Sequence, residues 1–335
     1  MKTTKLTLAL LAGAVAFTSC NEDDSIDGNS KRAELYATSN TSGDVTVYDY
    51  SDSSSSTTTT LNVTGSSDNE GIVYDRESDQ LIIASRTLGS LVVSGDIADQ
   101  ITGVAATLNI NKGPSNLSSP RSVAINGDFI VVADNASDQL FVYQRSGTTL
   151  TLRNVVNVNI DLWQVQFIGS DLYAVVDQTN NIAVFQNFLN NSTNAAVSPT
   201  KQIAIQGIAR THGLVYNSQD DIMILTDIGA ATGAGADTDG GLHIISNFTG
   251  KFNAVSNGGT LAMANNQVRI AGAATFLGNP VAATYDAGTK TIFVAERANS
   301  GGRILAFDSA ASGNASPTVN TTLSGASSVY FYRSN

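Results

Sequence analysis

Ser328-Val329-Tyr330-Phe331-Tyr332-Arg333 closes the chain with a run of strand-forming residues that has no neighbour in sequence left to pair with. It reads as a lone innermost strand whose three partners lie nearly three hundred residues earlier, just after the N-terminal leader. On that reading the chain is a ring closed by pairing its two ends.

Working outward, one phrase recurs: a run of β-formers ending in a small or acidic residue. It appears as Glu34–Ser39, Gln80–Ser85, Phe129–Asp134, Leu172–Asp177, Ile222–Asp227 and Thr291–Glu296, with ends 46, 49, 43, 50 and 69 residues apart. A period of 40 to 50 residues is that of a propeller blade. Each copy is followed by a turn and a second apolar run: Val45–Tyr50, Ser90–Asp96, Gln139–Arg145, Asn181–Asn187, Gly241–Asn247 and Arg303–Ser309. A weaker fourth strand follows, as in Thr107–Gly113, Thr151–Val158, Pro199–Gly207, Gln267–Gly272 and Pro317–Gly325.

Five copies are preceded by a short apolar strand: Gly71–Arg76, Ser122–Asn126, Gln164–Ile168, Gly213–Asn217 and Val281–Asp286. The first copy has none, and Ser328–Arg333 supplies it. The expectation is an all-β, six-bladed β-propeller whose C-terminal strand completes the N-terminal blade, since an open ring would expose two sheet edges. The long last interval is read as loops, Gly229–Gly240 and Asn253–Asn266, and Ser53–Thr60 as a mobile surface loop.

The composition agrees. Of 335 residues 42% are hydrophobic and 14% charged, with no long amphipathic helical pattern. Eighteen basic against 29 acidic residues give −11, which argues against a nucleic-acid partner.

Lys2 and Lys5 precede an apolar run, Leu6 to Phe17, of signal-peptide length and too short to span a bilayer. It ends in Phe17-Thr18-Ser19-Cys20, the only cysteine of the chain. This resembles a bacterial lipobox, with Phe17 where an aliphatic residue is usual. The resemblance implies a signal peptide over 1–19 and a lipidated, palmitate-bearing Cys20. The following Asn21-Glu22-Asp23-Asp24 resembles the acidic surface-export signal of Bacteroidota lipoproteins, which implies an outer-membrane, surface-exposed protein. Residues 20–33 read as a tether and 34–335 as one domain. The mature chain keeps 16 basic and 29 acidic residues, a charge of −13, and cannot form a disulfide framework. Asp24-Ser25-Ile26 and Asp308-Ser309-Ala310 resemble Bacteroidota O-glycosylation sites.

Val132-Ala133-Asp134-Asn135 with Asp138-Gln139-Leu140, and Val176-Asp177-Gln178 with Asn181-Ile182, resemble the turn between second and third strands of NHL-type blades. Their acids are expected to bond the turn's own amides. The layout of residues 34–333 is similar to six-bladed NHL- and TolB-like propellers, a group that includes gluconolactonase- and regucalcin-like enzymes. That likeness places a ligand site at the mouth of the central channel, near the starts of the inner strands.

Aligning those strands puts Glu70, Arg121, Trp163, His212, Val281 and Ser327 in equivalent positions. Glu70, Arg121, Trp163 and His212 are expected to converge with Ser327 beside them. They would hold a small polar ligand, with Trp163 stacking and Arg121 gripping an anion, or form a closed network around a Glu70–Arg121 pair. Gluconolactonase-type sites bind a divalent cation such as calcium through a Glu and several Asn or Asp residues. Here only Glu70 matches, with Asn69 and Asn279 nearby, and Arg121 opposes a cation, so no cofactor is expected.

His243, the second histidine, belongs to a third-strand run away from the mouth. Asp237-Thr238-Asp239-Gly240 lacks the Glu a calcium loop needs, and there is no Gly-x-Ser-x-Gly elbow. The leading expectation is a non-catalytic binding or scaffold module for an outer-membrane or extracellular protein, or a glycan, met first through the blade-five insertions. The alternatives are a lactonase-like hydrolase using Glu70 and His212, or a small-ligand sensor.

Overall fold

The computed structural model describes residues 31–52, 56–233 and 235–334. The leader, Cys20 and Asp24-Ser25-Ile26 lie outside them. The described chain forms six sheets, each of four antiparallel strands running from an inner strand outward, and three of them carry a fifth, parallel strand at the outer edge. The inner strands are Asn69–Asp75, Pro120–Asn126, Leu162–Ile168, Thr211–Asn217, Pro280–Asp286 and, for blade one, Ala326–Arg333. The last pairs antiparallel with Ala33–Ser39, Val329 opposite Ala37 and Arg333 opposite Ala33. The ring closes as the terminal stretch requires, three strands from one end of the chain and one from the other.

Period-two alternation makes the closing strand serve two neighbours. Val329 packs against blade six with Val281, Phe293 and Ile304, while Tyr330 and Tyr332 pack toward blade two with Tyr36, Ile72 and Tyr74. The core consists of six apolar clusters, one between each pair of adjacent blades. Polar side chains stitch the inner strands, which lie too far apart to form a ladder. Ser122 Oγ accepts from Val165 N at 3.1 Å, Gln166 exchanges two bonds with the Tyr216 backbone, and Thr284 Oγ1 accepts from Phe331 N at 3.2 Å. Arg333 adds an ion pair to Asp286 of blade six at 2.7 Å.

Three sequence expectations are corrected. Asn253–Asn266 is no free loop: Phe248–Ala254 is helical, and Thr260–Leu261 pairs in parallel with the outer strand of blade four, Lys201–Ile205. Ala105–Thr107 and Ala195–Ala196 do the same for blades one and three, and Gly313 bridges Ile270 of blade five. In each case the segment joining the third and fourth strands of one blade reaches back over the preceding blade's edge. Such edges are otherwise open to pairing. In consequence the fourth strand of blade two shrinks to Asn111–Lys112.

Ser53–Thr60 is likewise no loop as a whole. Thr57–Thr60 begins the outer strand Thr57–Asn62, where β-branched threonines suit a half-exposed edge; Ser53 to Ser55 lie outside the described residues. Finally, the phrase of blade four runs Asp171–Val176, not to Asp177, because Val176 pairs with Leu162 where Asp134 pairs with Pro120.

Candidate functional site at the channel mouth

Each inner strand carries one extra residue at its start relative to its partner. Ser327, Arg121 and Val281 are skipped outright, and the pairs Glu70-Gly71, Trp163-Gln164 and His212-Gly213 face single residues. These are six β-bulges, devices that re-aim a side chain at a sheet's end. The six positions aligned from sequence are thus one backbone feature repeated around the ring.

A second ring follows the second strands: Asn40, Arg86, Asn135, Asp177, Ile228 and Arg297. In all six the backbone N–H donates to the carbonyl two residues before the bulge, of Gly325, Asp68, Ser119, Asp161, Arg210 and Asn279, at 2.8 to 3.0 Å. Sequence reasoning missed this ring. Its signal was the residue after each repeated phrase, hidden by the one-residue misregister of blade four. The acids that end the phrases do staple lead-in loops: Asp134 accepts from Ser118 and Ser119 N, and Glu296 from Gly278 and Asn279 N. Asp177 stands one place further on and turns to the mouth instead.

There the side chains form a continuous chain. Arg86 Nη1 lies 2.9 Å from Asp68 and 3.7 Å from Glu70. Arg121 Nη1 donates to Glu70 Oε1 at 2.9 Å. The Arg121 guanidinium lies over Trp163, 4.3 Å from the ring centre. His212 stacks on Trp163 with centroids 3.5 Å apart and planes 9° from parallel. His212 Nε2 is 3.0 Å from Asp177 Oδ1, and Arg210 holds both oxygens of Asp177 at 2.8 and 3.1 Å.

Glu70, Arg121, Trp163 and His212 therefore meet, but Trp163 is no stacking platform. It is buried, with a guanidinium over its ring and an imidazole stacked on it. Ser327 does not line the site either. Its hydroxyl donates to Asn69 O at 2.6 Å, beside a Thr38 hydroxyl that donates to Glu70 O at 2.7 Å, so it seals the seam between blades one and two. Asn69 is wholly buried and bonds Gly43 O and Ser66. His243 is buried apart from the mouth against Gln267, Arg269 and Asp227.

Burial pulls His212 down to about 4, against the pull of Asp177. Burial pushes Asp177 up, but hydrogen bonds from His212 and Arg210 outweigh it and hold the carboxyl below its usual range. Glu70 is pushed up by burial, against Arg121, Arg86 and Arg297. Beside this plug of side chains lies a cavity of about 240 Å³ lined by the next residues of the inner strands, among them Ser122, Gln164 and Ser328. Gly71 is required at its neck, because a Cβ there would stand 2.7 Å from Ser122 Cα. Among the described residues no group of three or more His, Cys, Asp or Glu is placed to hold a metal ion.

Six bulged inner strands about a plugged channel define a six-bladed β-propeller. No family model matches the chain, and no curated protein matches it. Among solved structures it is similar to a chain of a nidogen/laminin complex, at 12% identity and a TM-score of 0.62, covering 89% of this chain and 98% of that one. It is also similar to candidate 6-phosphogluconolactonases from Bacteroides fragilis NCTC 9343 (11% identity, TM-score 0.52, 92% and 99% covered) and Bacteroides uniformis ATCC 8492 (10%, 0.51, 90% and 100%). At such identities the likeness carries the fold alone.

Proposed function

We propose that this chain is an outer-membrane, surface-exposed lipoprotein, anchored through Cys20, whose propeller is a non-catalytic module binding a protein or glycan partner. The observation that carries the reading is that the two buried carboxylates of the mouth, Glu70 and Asp177, are consumed. Glu70 is held by Arg121, and Asp177 by Arg210 and His212, so neither is free to ligate a cation or relay a proton. The hydrolase alternative draws on the His212–Asp177 pair, which resembles the base and orienter of a hydrolytic site. Against it, the remaining nitrogen, His212 Nδ1, is bonded to no hydroxyl that could serve as nucleophile, and the ring is buried against Trp163.

The docking surface in this reading is the mouth-side loop Ile228–Gly240, which lies on blade six through Asn299 Nδ2 and Asp237 O, 2.9 Å apart. The belt over Asn253–Asn266 belongs to the fold, not to docking. Shortening Ala230–Asp237 and cross-linking the full chain in its own membranes tests the assignment. Loss of defined cross-links is expected; recovery of every cross-link in the shortened protein would sink it. Cys20→Ser should abolish palmitate labelling and sedimentation with membranes, and a membrane-bound C20S protein would remove the anchor.

A further inference from the structure

The mouth holds more guanidinium than its carboxylates use. Arg86 and Arg121 face Asp68 and Glu70, and each spends only its Nη1 on them. Their Nε atoms are buried with no protein acceptor, as is one oxygen of Asp68. Arg297, in the second ring on blade six, is exposed and bears electrostatically on both Glu70 and Arg121. Among the described residues it pairs with no carboxylate. Its Nε and Nη2 meet only the neutral amide oxygen of Asn40, at 2.9 and 3.0 Å once that amide is oriented by its surroundings. Around Glu70, three guanidiniums (Arg86, Arg121 and Arg297) stand against two carboxylates (Asp68 and Glu70), while Arg210 is spent on Asp177, in a chain whose net charge is −11.

We propose that this cluster binds a small oxyanion, a carboxylate or phosphate group, through the exposed Arg297 together with Arg86 and Arg121 beside Glu70. The chemistry selects the class. A planar guanidinium offers paired donors matched to two oxygens of such a group, and partial burial strengthens the attraction. A cation is repelled by the local excess, and a neutral sugar finds no open aromatic face because Trp163 is buried against Arg121 and His212. The inference does not depend on a docked partner, and its test uses none.

The full chain is titrated with inorganic phosphate, glucuronate or glucose at ionic strength held constant with NaCl, followed by calorimetry and thermal unfolding. Saturable binding of phosphate or glucuronate, but not glucose, is expected, and whichever anion saturates at lower concentration names the group. Arg297→Ala should weaken binding about tenfold, while Arg76→Ala, an exposed arginine at the far end of an inner strand, should leave it unchanged. No anion effect beyond matched NaCl, or equal affinity in R297A and the unaltered chain, would overturn the proposal. Because R297A removes no protein ion pair, its fold should persist, and its unchanged unfolding curve without ligand verifies that.

Discussion

Blades two to five and blades six and one put different chemistry on one backbone position. In the first group the bulge carries Glu70, Arg121, Trp163 and His212, and their side chains lock across the channel into a charged, stacked plug. In the second it carries Val281 and Ser327, and these turn into the joints on either side of the closing strand. Val281 enters the apolar cluster between blades six and one, and Ser327 bonds the backbone of blade two. The same β-bulge aims a side chain in both groups; polarity and length decide whether it reaches the mouth or seals the ring. The plug thus touches the joint where the two chain ends meet only through the backbone of Asn69 and Glu70.

The largest expected effect breaks the joint. Deleting Ser328–Asn335 removes most of blade one's inner strand, together with Val329, Tyr330 and Tyr332, and opens two sheet edges. At about 1.5–3 kcal/mol for each buried apolar side chain the loss is on the order of 5–10 kcal/mol, comparable with the stability of a whole domain. No cooperative thermal transition should remain by circular dichroism. A melt like that of the intact chain would refute closure by strand pairing.

Next comes the plug. Glu70→Ala leaves Arg121 buried without its counter-charge, at a cost of about 3–5 kcal/mol. The double change Glu70→Leu with Arg121→Met should recover most of that in urea denaturation. If the double variant is as unstable as Glu70→Ala, the pair is not what holds the mouth.

The third test titrates the plug. His212 protonates near 6.5 when unfolded but only near 4 when folded, so the unfolded chain takes up the proton first as pH falls. The folded state therefore loses stability between pH 6.5 and 4, by up to about 3 kcal/mol. His212→Gln should flatten that part of the stability curve. An identical slope in the variant would move the pH dependence elsewhere.

How much of this was legible in the sequence follows from what each feature depends on. The bulge ring could be aligned because every inner strand keeps the same offset from its lead-in, whatever side chain it bears. The second ring was lost at Leu172–Asp177, whose LYAVVD reads like the FIVVAD of blade three. Only the pairing of Val176 with Leu162 shows that the acid stands one place later. The belt strands escaped because two or three residues such as Thr260-Leu261 carry no periodicity; they are strands only because a neighbouring blade offers an edge. The burial of Trp163 depends on rotamers of Arg121 and His212, which composition does not encode.

The smallest effect is the sharpest test of the comparison, because it asks whether Ser327 belongs to the joint or to the mouth. Its hydroxyl is buried and donates to Asn69 O, so Ser327→Ala forfeits one hydrogen bond and leaves a carbonyl short of a donor. That should cost about 1–2 kcal/mol. If Ser327 acts only at the seam, the loss appears in full without any anion and the affinity for phosphate or glucuronate stays as it was. A weakened affinity at unchanged stability would place Ser327 with the plug, and the division of the ring into a mouth half and a joint half would fail.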